Sequence, residues 1–192
     1  MSQHIEIEFK NMLTEEEFAR LIQAFEFDEA DFKEQTNHYF DTENFQIKER
    51  QAALRTRFKA GQWVFTLKEP AETGLLETEQ VLTEEEAERL MEEHQIPDGP
   101  VKEQLALLEI EEKSIRYFGS LTTWRAEKKE KEGLIVLDQS RYLSIEDFEL
   151  EFEAEEATAG ELYFSRLLEM YQIPVRETKN KVRRFYERKY SV

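Results

Sequence analysis

The strongest constraint on this chain is an alternation of period two in which one side is apolar and the other carries full charges. From His4 to Lys10, Ile5, Ile7 and Phe9 fall on one side, and Glu6, Glu8 and Lys10 on the other. The pattern returns with Leu54, Thr56 and Phe58 against Arg55 and Arg57, and with Phe65 and Leu67 against Thr66 and Lys68. It returns again around Glu77 and Glu79, and with Phe148, Leu150 and Phe152 against Glu149, Glu151 and Glu153. Neighbouring side chains of a strand point to opposite faces. Each run therefore predicts a strand with one greasy and one ionic face.

Strands are expected at residues 4–10, 33–41, 52–60, 62–69, 76–82, 113–127, 134–141 and 145–154, with a hairpin turn at Ala60-Gly61. Helices are expected at 14–25, 83–94, 101–110, 158–172 and 178–189. Thr14 with Glu17, and Thr83 with Glu86, have capping-box spacing. The first helix presents Phe18, Leu21, Ile22 and Phe25 as its apolar stripe, and the helix at 158–172 turns Leu162, Leu167, Leu168 and Tyr171 inward. About eight hairpin-linked strands can close into a barrel, which removes exposed edges. The expected fold class is α+β: an eight-stranded antiparallel β-barrel, or tunnel, with a charged lumen, covered outside by helices. No linker-like stretch divides the 192 residues, so residues 1–192 read as a single domain.

A charged strand face taken alone reads as a solvated outer surface. The conjunction of several such faces with strongly apolar opposite faces points inward instead. The apolar faces need cover, which the helices supply, and the ionic faces are left to line the lumen. Crowded carboxylates repel one another and call for cations. Arginines and lysines in the same tube call for a polyanion. The long strand adds Arg125, and less directly Arg116, and Asp138 joins from the next. Hard divalent cations such as Mg²⁺ take oxygen ligands, including those of substrate phosphates. A triphosphate with Mg²⁺ or Mn²⁺ meets both demands.

The formal charge of −17 opposes long-range attraction to nucleic acid or to an anionic membrane, so neither is expected as a partner. The absence of cysteine excludes disulfides and thiolate metal sites. With no apolar signal-like start and no apolar run of membrane-spanning length, a cytoplasmic protein is expected.

The ordered motifs resemble those of the CYTH proteins, also called triphosphate tunnel metalloenzymes, and in flavour their Firmicute-type bacterial subgroup. Glu6-Ile7-Glu8-Phe9-Lys10 looks like the N-terminal ExExK signature. His38-Tyr39-Phe40-Asp41-Thr42, Leu54-Arg55-Thr56-Arg57 and Thr66-Leu67-Lys68 resemble the next three segments. Asp138, Glu149-Leu150-Glu151 and the basic Lys179 and Lys181 resemble the last ones. The resemblance implies a small-molecule triphosphate or polyphosphate as the partner and metal-dependent hydrolysis as the reaction. It implies phosphate binding by Lys10, Arg55, Arg57, Lys68, Arg125 and Lys181. Metal binding falls to Glu6, Glu8, Asp138, Glu149 and Glu151, and the catalytic set is Lys10, Glu6 and Glu8. Glu77 and Glu79 would orient the arginines, and Glu153 lies outside the motif.

Adenylate cyclase and thiamine triphosphatase activities share the fold and stand as alternatives, as does a non-catalytic polyphosphate or nucleotide sensor. An acidic scaffold without a ligand is the blandest alternative. Trp63 and Trp124 are out of phase with the charged positions, so neither is expected to stack a base or thiazole ring in the lumen. His4, His38 and His94 read as ordinary surface or packing residues.

Overall fold

Each alternating run becomes a strand in the computed structural model, which describes residues 2–190. The described residues form eight strands and six α-helices. In chain order these are β1 (Ser2–Leu13), α1 (Glu15–Ala24), β2 (Lys33–Thr42), α2 (Gln46–Glu49), β3 (Ala53–Lys59), β4 (Gln62–Pro70) and β5 (Leu75–Leu82). There follow α3 (Glu84–Glu92), α4 (Pro100–Leu107), a single 3₁₀ turn (Glu112–Ser114) and β6 (Ile115–Lys129). The last elements are β7 (Gly133–Tyr142), β8 (Ile145–Ala154), α5 (Ala157–Met170) and α6 (Lys181–Tyr190). The strand order β1-β5-β4-β3-β2-β6-β7-β8 closes on itself, and β8 pairs antiparallel with β1. The fold is the expected α+β class, a closed eight-stranded antiparallel barrel with helices outside. Among the described residues no helix is long and apolar enough to cross a membrane.

The chain divides into two compact units, described in turn. The first holds Thr36–Leu121 with the chain start through Ile5. Its β3–β4 hairpin turns through Ala60 and Gly61, both at positive φ (51° and 83°). This left-handed pair suits the twist of a two-residue hairpin. Leu54, Phe65, Leu67 and Leu82 project from one sheet face and pack with Ala87 and Leu90 of α3 and Val101 and Leu105 of α4. Each such burial stabilises by about 1.5–3 kcal/mol for the larger aliphatic and aromatic side chains. Thr83 and Glu86 close the capping box that starts α3.

The short helix α2 has no counterpart in the expected elements. Four residues are too few to show a helical period. It is organised by Asp41, whose buried carboxylate accepts backbone N–H groups from Thr42, Ile47 and Lys48 at 2.7–3.1 Å. Burial still raises the Asp41 pKa, and these hydrogen bonds oppose the rise.

The second unit holds Glu6–Gln35 and the chain from Thr122 on. Phe18, Leu21 and Phe25 of α1 and Phe164, Leu167 and Leu168 of α5 pack with Ile135, Leu137, Leu150 and Phe152 from the apolar faces of β7 and β8. Gly160 lets α5 approach closely: a methyl group there would meet Ala154 Cβ and stand 2.7 Å from the Phe9 ring. Leu162 corrects an expectation, because it is 52% exposed and does not point inward. At about 3.6 residues per turn it lies roughly 140° around the helix from Leu167, beyond the stripe. The terminal helix starts at Lys181, not at 178. Thr178 is engaged by the Met12 N–H at 2.9 Å, and the Asn180 side chain caps the Arg183 N–H at 2.8 Å.

Candidate phosphate and metal site

The ionic faces can be read off the strand registers. In the second unit Lys10 lies opposite Glu151 and Glu8 opposite Glu153, Asp138 lies opposite Glu149, and Arg125 lies opposite Asp138. Directly opposed residues point to the same side of a sheet. The alternation that buries Ile135, Leu150 and Phe152 under helices therefore gathers these charges on the other face.

Their side chains form one network. Arg125 Nε and Nη2 donate to the two oxygens of Asp138 at 2.8 and 2.6 Å, and Nη2 also donates to Glu151 Oε2 at 2.6 Å. Lys181 reaches in from α6, with its Nζ 2.9 Å from Asp138 Oδ2, 2.9 Å from Glu149 Oε2 and 2.5 Å from Glu151 Oε1. Lys10 pairs with Glu8. Glu6 is half-buried two residues before Glu8, in phase with it.

The titration of the network follows from burial against charge. Burial favours the neutral Lys181 amine, but Asp138, Glu149 and Glu151 outweigh it and hold the pKa well above the usual lysine value. Burial likewise favours protonated Glu151, yet Lys181, Arg125 and Lys10 hold it well below the carboxylate range. Arg125 and Lys10 are raised by their carboxylate neighbours against the same burial penalty. Lys10, Arg125, Lys181 and Glu151 are thus held in their charged forms at neutral pH.

One atom in it is left over. Glu149 is 1% exposed, and its Oε1 is buried without a hydrogen-bond partner. An unsatisfied buried acceptor costs about 1–3 kcal/mol. An anionic oxygen among further carboxylates is the donor type a hard divalent cation takes. The residues present therefore fit the metal that the sequence motifs imply.

The first unit presents its own charged face. Arg55 lies opposite Tyr39 and Thr66, and Arg57 opposite Asn37 and Val64. Lys68 lies opposite Glu77, and Thr66 opposite Glu79. Lys68 pairs with Glu77, while the Thr66 hydroxyl donates to Glu79 Oε1 at 3.1 Å. Glu77 and Glu79, expected to orient arginines, are thus seen contacting Lys68 and Thr66. His4 Nε2 lies 3.7 Å from Glu77 Oε2, and His4, Glu77 and Glu79 each offer one ligand atom within 4.8 Å of the others. The Arg55 Nε is buried without a hydrogen-bond partner, a donor suited to an anion's oxygen.

Several expectations resolve differently. Arg116 does not join the charged face: it donates to the Lys113 and Ile115 carbonyls and pairs with Glu43. It follows the 3₁₀ turn and spends its guanidinium on that turn's carbonyls. Of the basic residues near the end of the chain, Lys181 enters the carboxylate cluster, whereas Lys179 and Arg183 pair with Glu187. Arg184, not among the expected site residues, donates to Glu149 Oε2 at 2.7 Å and to Asp147 Oδ2 at 3.1 Å. The available signal was its spacing of three from Lys181, which puts both on one side of a helix. Trp63 packs against the apolar core, with Phe58 edge-on to it, and Trp124 carries the Arg141 guanidinium over its ring at 4.9 Å.

Known proteins resemble this chain in sequence and in fold. The CYTH domain profile matches residues 4–186. A Bacillus subtilis protein, YjbK, named as a candidate triphosphatase, is 55% identical over 189 residues, spanning 98% of each chain. A Bacillus halodurans crystal structure described as a candidate adenylate cyclase superposes with a TM-score of 0.94 at 41% identity, covering 97% of this chain and 100% of that one. The Hippeastrum protein HpAC1, a candidate adenylyl cyclase described as having a dominant triphosphatase activity, shares the fold at 20% identity. Its TM-score is 0.77, over 95% of this chain and 96% of its own. Barrel closure, the ordered charged motifs and the profile match across most of the chain lead to one assignment: the chain belongs to the CYTH family.

Proposed function

We propose that this chain is a metal-dependent hydrolase of inorganic tripolyphosphate or of an organic triphosphate. The observation that carries the reading is the buried ion-pair cluster of Lys10, Arg125 and Lys181 with Asp138, Glu149 and Glu151, in which Glu149 Oε1 is left unsatisfied. A site with fixed cations for phosphate and an anionic oxygen still to be met suits a phosphate–metal pair better than either partner alone. The B. subtilis relative's name points the same way.

In this reading Lys10, Arg125 and Lys181 in one unit, and Arg55, Arg57 and Lys68 in the other, bind phosphate oxygens. Glu6, Glu8, Glu149 and Glu151 hold the metal. Asp138 belongs to the same proposed set, and both Asp138 and Glu151 also hold Arg125 and Lys181 through their two oxygens. The oxygen donors suit Mg²⁺ or Mn²⁺. When bound, such an ion offsets charge on phosphate oxygens and acidifies a coordinated water. Phosphoryl transfer otherwise asks for alignment and charge stabilisation. Lys181 and Arg125, with their raised pKa values, supply charge that does not titrate near neutrality. Neither indole shares the charged face, which supports a reading based on the phosphate chain over base recognition.

The test is phosphate release from tripolyphosphate with Mg²⁺ or Mn²⁺, repeated for Arg57→Ala and Glu8→Ala. Both substitutions should cut turnover by at least about tenfold, since each removes a charge-stabilising or metal-holding contact. Undiminished activity in both variants ends the residue assignment, and no release from wild-type protein with either metal ends the hydrolase reading.

A further inference from the structure

The Arg184 guanidinium is tied down on several sides, and of the cations on Glu149 it alone is held by a rigid fork. Nη2 donates to Glu149 Oε2 at 2.7 Å, Nε to Asp147 Oδ2 at 3.1 Å, and Nη1 to the Lys179 carbonyl at 2.6 Å. Asp147 is itself fixed by the Tyr142 hydroxyl, which donates to the same Oδ2 at 2.5 Å. The neighbouring Phe185 packs on the Tyr142 ring, with centroids 5.9 Å apart. Lys181 cannot fix Glu149 in this way, because its one ammonium is shared among Asp138, Glu149 and Glu151. A planar fork restrained on both edges sets an orientation, whereas a rotatable ammonium supplies mainly charge.

We infer that Arg184 is a positioning residue for the metal site: it pins Glu149 by Oε2, so that Oε1 faces the cation. The inference rests on the hydrolase reading above and deepens it. Arg184 touches neither metal nor phosphate in this role and acts only through Glu149.

Charge and positioning give opposite signs here. If Arg184 acted only as a nearby positive charge, it would repel a divalent cation. Removing the charge would then tighten metal binding, and Arg184→Lys would change nothing. If it acts as a restraint, both Arg184→Lys and Arg184→Gln must weaken metal binding. Substituting a residue behind a metal ligand typically costs roughly 10–100-fold in affinity.

The experiment is direct Mn²⁺ titration of the full chain without substrate, reading free Mn²⁺ by electron paramagnetic resonance. Tripolyphosphate KM is then measured at saturating Mn²⁺. Both variants should bind Mn²⁺ about tenfold more weakly, with tripolyphosphate KM unchanged at saturation. A purely structural role, in which α6 comes loose, would displace Lys181 as well and raise that KM. Tyr142→Phe guards against a variant that does not fold. It keeps every charge and the aromatic contact but releases Asp147, and it should weaken Mn²⁺ binding in the same direction by a smaller factor. Unchanged Mn²⁺ binding in Arg184→Lys, or tighter binding in Arg184→Gln, overturns the positioning role. If Arg184→Lys does not fold, unchanged binding in Tyr142→Phe does so. Wild-type protein that binds no Mn²⁺ and releases no phosphate overturns the hydrolase reading beneath it.

Discussion

Arg125 on β6 and Asp138 on β7 face each other across one rung of the sheet and meet through two hydrogen bonds, of 2.8 and 2.6 Å. Asp138 is fully buried and also touches Lys181 at 2.9 Å. One carboxylate therefore compensates two cations. Asp138→Ala should leave both under-compensated and destabilise the fold by about 3–5 kcal/mol, the usual result of removing one member of a buried ion pair. Chemical denaturation at neutral pH measures it. A loss below about 1 kcal/mol would show that Glu149 and Glu151 alone suffice.

Ligand linkage provides a second check. Anything that binds only the folded state raises the melting temperature by mass action. Tripolyphosphate with Mg²⁺ should do so, and the shift should shrink in Lys68→Ala and in Lys181→Ala. An equal shift in all three proteins would place binding elsewhere.

The pH dependence of stability should show the Glu17–Arg176 pair. Arg176 Nη1 and Nη2 donate to the two oxygens of Glu17 at 2.8 and 3.0 Å. These bonds, opposed by burial and helped by Thr14, lower the Glu17 pKa from its ordinary 4.5. A lowered carboxylate pKa stabilises the fold above the unfolded-state value, and that contribution fades as pH falls through the folded-state value. The urea midpoint of wild type should exceed that of Glu17→Gln at pH 7, and the two should converge as the pH falls through the lowered folded-state value of Glu17. A gap independent of pH would assign the effect to packing.

Gly160→Ala tests the contact of α5 with the sheet. The added methyl would crowd Ala154 and the Phe9 ring, at 2.7 Å. Overpacking of this kind costs about 1–3 kcal/mol, even though alanine favours a helix intrinsically. A thermal melt that matched or exceeded wild type would mean that α5 can move away at little cost.

Legibility in the sequence followed periodicity. Glu149 and Glu151, or Arg55 and Arg57, could be assigned to one face because a strand repeats every two residues and their intervening neighbours are apolar or core-facing. Thr14 and Thr83 marked their helices because a capping box is a local device. What depended on distant partners was not legible. Asp41 organises α2 through three backbone N–H groups, and no pattern records where a carboxylate will find them. Leu162 is apolar and reads as inward with Leu167 and Leu168, although its angular position on α5 excludes it. Arg184 lay unremarked in a run of basic residues, because which of them meets Glu149 depends on how α6 docks.

The placement of Lys181 has a consequence for biosynthesis. Asp138, Glu149 and Glu151 emerge from the ribosome ahead of Lys181 and Arg184, so the acids precede two of their counter-charges. Until α6 docks, their mutual repulsion opposes consolidation of β7 and β8 around Arg125 and Lys10. Docking of α6 is therefore the step that completes charge compensation around Glu149 and Glu151.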